Sequence, residues 1–202
     1  MGQIIDLAIN PLGLKRMQKY QRLILVAVFL VLLFAIFELS GLRGQFTLKY
    51  LQQVILDNKA SGLLIFVLVF SLGNLVQIPG WVFLAAAVLT LGKTMGGVAT
   101  YVAACVSCVV TFLAIRFLGG SALRQLDNKF ARRLLEHFDV HPIRSILILR
   151  ILFQTVPALN YTLALSGARF RDYLIGTLLG LPVPIALYCL FFDYLARTLK
   201  II

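Results

Sequence analysis

The stretch LVQIPGWVFL, residues 75–84, lies inside a run of 33 residues, 60–92, that carries no charged side chain. A glutamine, a proline and a glycine occupy its centre, where a membrane-spanning helix tolerates them least. The length of the run sharpens the conflict. As one helix it would reach about 50 Å, against a hydrocarbon core about 30 Å thick. Two full crossings with a turn would need about 40 residues or more. A segment that enters the membrane, turns at depth on Pro79-Gly80 and leaves by the same face fits both the length and the turn chemistry. Irregular backbone at that depth is tolerated only where protein or a water-filled cavity satisfies its polar groups. Gln77, Pro79 and Gly80 therefore mark a polar interior rather than a failed helix.

The rest of the chain agrees with a membrane setting. Of 202 residues 60% are hydrophobic and 13% charged, about half the charged fraction of a soluble domain. Further uncharged runs cover 94–115, 151–168 and 173–192, and residues 23–37 are apolar without interruption. The expected class is an all-helical integral membrane protein. The net charge of +11 gathers at Lys15, Arg16, Lys19 and Arg22 and again between Arg116 and Arg150. Basic clusters beside membrane segments mark the cytoplasmic face and meet anionic lipid, so nucleic acid is not an expected partner. Cys105, Cys108 and Cys189 all lie in apolar runs, which speaks against a disulfide framework. Cys105 and Cys108 read as two small residues one turn apart. Gly92-Lys93-Thr94 lacks the upstream glycine of a phosphate-binding loop, Ala87 standing there. His137 and His141 have no convincing third metal ligand, and no nucleophile and base pair stands out. No cofactor, metal or enzymatic activity is expected.

Charge also bears on topology. If the basic leader and the basic loop 117–144 share the cytoplasmic side, the chain crosses an even number of times between them. Spans at 23–39 and 94–116 supply two crossings, and a re-entrant segment supplies none. This topology leaves Arg197 and Lys200 outside. The second half repeats the plan: residues 146–167, ILILRILFQTVPALNYTLALSG, are broken by Gln154 and Pro157, and a span follows at 173–196. The expected fold is two inverted repeats, each a re-entrant helical hairpin plus a transmembrane helix, after an N-terminal transmembrane helix. Residues 1–59 hold the leader, first span and an amphipathic segment at 41–59. Residues 60–196 form the membrane core, and 197–202 a short tail.

Several of these features together resemble the DedA superfamily, also called VTT or SNARE-associated domain proteins, over roughly residues 60–196. They are IPGWVFLAAAVLTLG, the Phe112 to Arg116 FxxxR followed by Leu118-Gly119-Gly120, LRILFQTVP, and NYTLALSGARFRDYLIGTLLGLP. The resemblance implies re-entrant hairpins and lipid transport: eukaryotic relatives scramble phospholipids, and some bacterial ones recycle undecaprenyl phosphate. One departure matters. The proton-dependent bacterial branch carries acidic residues where this chain has Gly73 and Trp81, which favours passive scrambling.

Arg150 stands six residues inside the second hairpin, with Gln154 one turn on. A charge at membrane depth costs about 2.5–3.5 kcal/mol on insertion scales and is a functional candidate by default. Its guanidinium suits a lipid phosphate bidentately. Arg116, with Phe112 one turn behind, is the second phosphate candidate, against a snorkelling alternative. Asn74, Gln77, Gln154, Asn160 and Tyr161 gather at the two tips, either lining a headgroup path or joining the hairpins. Pro79, Gly80 and Pro157 form the turns, and Gly176 and Gly180 a helix-packing face. Asp193 and Arg197 read as a surface ion pair. The expected function is transport of phospholipid or a lipid-linked phosphate such as polyprenyl phosphate. The alternatives are an ion- or proton-coupled small-solute transporter and a non-transporting membrane assembly factor. A bacterial or archaeal plasma membrane is the expected location, and homo-oligomerisation is left open.

Overall fold

The computed structural model describes residues 11–40, 52–53, 62–121, 123, 140–154, 156 and 158–199. Most of the amphipathic segment expected at 41–59, most of the central basic loop, Pro157 and Lys200 lie outside the described residues. The described elements are helical: α1 (Pro11–Leu39), α2 (Gly62–Leu75), α3 (Gly80–Gly119), α4 (Pro142–Phe153), α5 (Ala158–Leu165), α6 (Phe170–Gly180) and α7 (Pro182–Thr198).

The quoted stretch is a turn between two helices. At the end of α2 the Ile78 amide donates to the Gly73 carbonyl at 2.8 Å and the Gln77 amide to Asn74 at 3.2 Å. Gln77 itself has φ +66°. These are the two bonds and the left-handed residue of a Schellman cap, with glutamine in the place glycine usually takes. Pro79 then adopts an extended conformation (φ −61°, ψ 131°) and α3 begins at Gly80. Because Pro79 has no N–H to leave unsatisfied, it suits the entrance to a helix.

A second reversal follows at Gly92, where φ is 78° and ψ 168°. A Cβ on Gly96 would lie 2.6 Å from the Ala87 carbonyl oxygen, although a straight helix would hold those residues about 13 Å apart. α3 is thus a short limb, 80–91, and a long limb, 93–119, folded against each other. The long limb measures about 40 Å. Ala85, Ala86, Ala87, Ala99 and Ala103 are buried around the contact. Small residues let helices approach closely where lipid removes the hydrophobic drive to associate, and close packing is what remains to hold them. Phe66 of α2 meets Phe83 of the short limb edge-on and Phe70 meets it tilted, with Phe70 and Phe83 centroids 4.8 Å apart.

In the second half, α4 and α5 are joined across 154–157, and α5 turns into α6 at Gly167, whose φ is +84°. α4 lies along α6 in the same direction: Ile146 meets Gly176, and Arg150 meets Gly180. α6 continues through Pro182 and Pro184 into α7, antiparallel to the long limb of α3. Phe170 packs on Phe112 at 5.7 Å and, at the other end, Asp193 pairs with Lys93 at 3.6 Å. Pro182 leaves the Leu178 carbonyl without its helical donor, and the Tyr101 hydroxyl donates to that oxygen at 3.1 Å. α1 meets the core at its edge, Val26 lying against Gly119.

Gly80–Gly119 and Phe170–Thr198 are each long and apolar enough to cross a membrane. Leu32, Leu64, Leu72, Val98, Phe117 and Leu187 are among many exposed large apolar side chains. Water would penalise such a surface, and a bilayer would not.

Candidate functional site

Halfway along the long limb of α3, Ser107 and Cys108 look inward at a polar cluster drawn from five helices. At its centre is Arg150, 1% exposed. The α4 backbone points its side chain toward the helix N-terminus, and Gly180 makes room: a Cβ there would lie 2.7 Å from the Arg150 Cβ. The guanidinium donates through Nη1 to Asn160 Oδ1 at 2.7 Å, through Nη2 to Tyr173 Oη at 2.8 Å and through Nε to Thr177 Oγ1 at 3.3 Å. Its carbon lies 5.3 Å from the Tyr173 ring centroid. Each partner is neutral, and among the described residues no carboxylate pairs with Arg150.

The cluster continues outward from this centre. Tyr173 Oη donates to the Cys108 carbonyl at 2.9 Å, and the Cys108 thiol to Asn160 Oδ1 at 3.5 Å. Asn160 Nδ2 reaches Asn74 Oδ1 at 3.4 Å, and Asn74 Nδ2 donates to Ser107 Oγ at 2.7 Å. The Tyr161 hydroxyl donates to the Leu75 carbonyl at 2.8 Å, supplying one of the acceptors that the end of α2 leaves open. Asn74, on the first turn's approach, and Asn160, beyond the second, therefore join the two halves directly. Gln154 Oε1 is buried one turn beyond Arg150, and neither it nor Thr111 Oγ1 has a hydrogen-bond partner. Buried polar atoms are rarely left so.

Of the residues expected from sequence, Arg150, Asn74, Asn160 and Tyr161 are brought together. Gln154 is adjacent but unbonded at Oε1. Gln77 is exposed on the turn and takes no part in the cluster. Pro79 and Gly80 form the junction of α2 and α3, and Gly176 and Gly180 form the face on which α4 packs. Arg116 lies eight residues beyond Cys108, about 12 Å along the helix. Its Nη1 donates to the Ala164 carbonyl at 2.8 Å and its Nη2 to Ala168 at 3.3 Å, so it caps the end of α5 and holds the turn at Gly167. Its guanidinium lies 5.8 Å from the Phe112 ring centroid. Arg116 and Arg150 thus bond to different partners, one at the end and one at the middle of the long limb. Asp193 forms ion pairs with both Arg197 at 3.3 Å and Lys93 at 3.6 Å, so the surface pair is a triad.

Residues 78–194 match the VTT domain. The chain belongs to the VTT domain family. The domain is that of DedA-family membrane proteins, a family of membrane transporters and related proteins, and the match takes in every residue of the Arg150 cluster except Asn74. Among curated proteins and among solved structures, nothing matches the chain. Sequence reading missed Tyr173, Thr177, Ser107 and Cys108 as members of the cluster. The signal was present for two of them, because Tyr173 and Thr177 stand one turn apart on one face of the uncharged run 173–192.

Proposed function

We propose that this VTT domain moves phospholipid, or another lipid carrying a phosphate, across the bilayer along the seam where its two halves meet. The observation that carries the reading is Arg150: a fully buried guanidinium with no carboxylate partner among the described residues, at half the height of a spanning helix. Such a charge is costly in a membrane and is retained where it has a task. Neutral acceptors hold it in this conformation. A phosphate would replace them with charge-assisted, bidentate bonds of roughly twice the strength.

The path of the chain supports the re-entrant reading. α2 and the short limb of α3 are 14 residues and 12 residues long, about 20 Å each, too short to cross. Their turn lies beside Ser107 rather than at an end of the long limb. In the second half, α4 and α5 likewise run in opposite directions, and Arg150 of one meets Asn160 of the other in the same cluster. Gly92 and Gly167, both at positive φ, stand in the same place in each half, where the returning limb gives way to the long helix. The two long helices run antiparallel, as an inverted repeat requires. Passive transport is favoured over proton coupling. A Cβ at Gly73 would lie 2.3 Å from Phe83 Cζ, leaving no space for a carboxylate, and Trp81 is exposed and stacked on Phe192.

The test is lipid scrambling in vesicles that contain the purified protein, read with fluorescent phospholipid and an impermeant quencher. Wild type is expected to expose inner-leaflet lipid and Arg150→Met not to. Silence from both, repeated with polyprenyl phosphate, would overturn the reading and turn attention to solute uptake under an imposed gradient.

A further inference from the structure

Away from the Arg150 cluster, the long limb of α3 and α7 enclose a groove of about 600 Å³, within the range of small-molecule sites. Gly97, Tyr101, Pro182, Ala186 and Cys189 line it. The groove opens along two helices whose outward faces are apolar, Val98, Leu187 and Leu190 being exposed. At its mouth sit Lys93 and Thr94. The side chain of Lys93 is 46% exposed, and Asp193, 14% exposed, is shared between Lys93 and Arg197. Two cations thus face one carboxylate, leaving one positive charge uncompensated among the described residues.

An apolar slot between membrane helices capped by a net cation has the chemistry of an anionic glycerophospholipid turned inside out. We infer that the groove docks one such lipid, with an acyl chain along Gly97 and Ala186 and the phosphate at Lys93 and Arg197. A zwitterionic lipid offers the same chain but no net charge, so headgroup charge decides the preference. Each Lys or Arg near an anionic surface contributes roughly a fivefold gain in binding. The docking does not depend on transport. Arg150 does not line the groove and shares no hydrogen bond with its lining residues.

The experiment is native mass spectrometry of the detergent-purified full chain, titrated with phosphatidylglycerol and phosphatidylcholine of matched acyl chains. Wild type is expected to retain one phosphatidylglycerol about fivefold better than phosphatidylcholine. Lys93→Gln should abolish that preference, and Asp193→Asn should strengthen it by a similar factor, a change of sign that a merely structural triad would not produce. Ala186→Phe, made at an exposed wall, should weaken both lipids by filling the groove. If that variant does not fold, the opposed effects of the two charge substitutions decide alone. Equal retention of the two lipids by wild type, or indifference to both charge substitutions, would overturn the proposal. So would full retention by folded Ala186→Phe, which would place the lipid elsewhere.

Discussion

Replacing Arg150 by methionine separates a functional charge from a structural one. Removing the guanidinium leaves Asn160 Oδ1 with only the weak Cys108 thiol as donor, a loss of about 1–3 kcal/mol. It also removes the ring contact with Tyr173, another 1–2 kcal/mol or so at a desolvated site. The other partners are spared. Tyr173 keeps its bond to the Cys108 carbonyl, and the Thr177 hydroxyl can turn back onto its own helix. Against these losses stands relief from placing a cation at membrane depth, about 2.5–3.5 kcal/mol on insertion scales. Methionine retains the Cβ that packs on Gly180 and fills much of the same volume with apolar atoms. The sum runs from about 1.5 kcal/mol stabilising to about 2.5 kcal/mol destabilising. Arg150→Met is therefore expected to fold with near wild-type stability, read by thermal unfolding in detergent, and to lose scrambling at least tenfold. A loss of stability beyond about 4 kcal/mol, with activity falling only in proportion to folded protein, would refute this reasoning and make Arg150 a staple between α4, α5 and α6. Arg150→Lys keeps the charge without the planar fork and is expected to fall between the two.

Further substitutions test the rest of the construction. Gln77→Gly relieves a left-handed non-glycine residue and should raise stability by roughly 0.5–1 kcal/mol with scrambling unchanged; a drop in scrambling would return Gln77 to the lipid path. Gly176→Val drives a side chain into Ile146, whose Cβ already lies 2.7 Å from the position of an added Cβ. It should cost about 1–3 kcal/mol or more and reduce monodisperse protein on size exclusion. Tyr101→Phe should cost about 1 kcal/mol by orphaning the Leu178 carbonyl, and less in a Pro182→Ala background, where the helix supplies its own donor. A double-mutant cycle without coupling between these two positions would contradict that pairing.

Much of the architecture was legible in charge-free run lengths. Residues 60–92 were too long for one crossing and too short for two, and the chain does reverse at 76–79 and again at Gly92. The second reversal was marked only by a glycine before Lys93, because nothing in local composition separates a kink from a fold-back; the difference lies in Gly96 and Ala87 being small enough to meet. Arg150 was legible because a lone cation in an apolar run has few bland explanations. Its partners were harder to read. Tyr173 and Thr177 lie more than twenty residues away on a helix whose rotation about its axis sequence does not specify. Gln77 looked like a cavity residue because it is polar in an apolar stretch, yet its position is set by backbone: it occupies the left-handed cap where side-chain chemistry is incidental. Arg116 reads as a second phosphate ligand for the same reason; in the structure its guanidinium donates to the Ala164 and Ala168 carbonyls.

The absence of acid around Arg150, among the described residues, suits the lipid reading better than the proton-coupled one. A carboxylate partner would bind the guanidinium through two charge-assisted bonds, and a phosphate could displace it only by exchanging one strong pair for another. Amide and hydroxyl oxygens hold the cation less tightly and can rotate to other donors or acceptors when a phosphate arrives, as Thr177 and Tyr173 can. A proton-coupled carrier needs the opposite arrangement, a titratable acid whose charge alternates as the chain moves. Here the place of one such acid is filled by the Phe83 ring over Gly73, and that of the other by Trp81 stacked on Phe192. On the proposed reading, a buried cation that a phosphate can bind, with rings packed at Gly73 and Trp81, would leave the lipid's own concentration difference as the driving force.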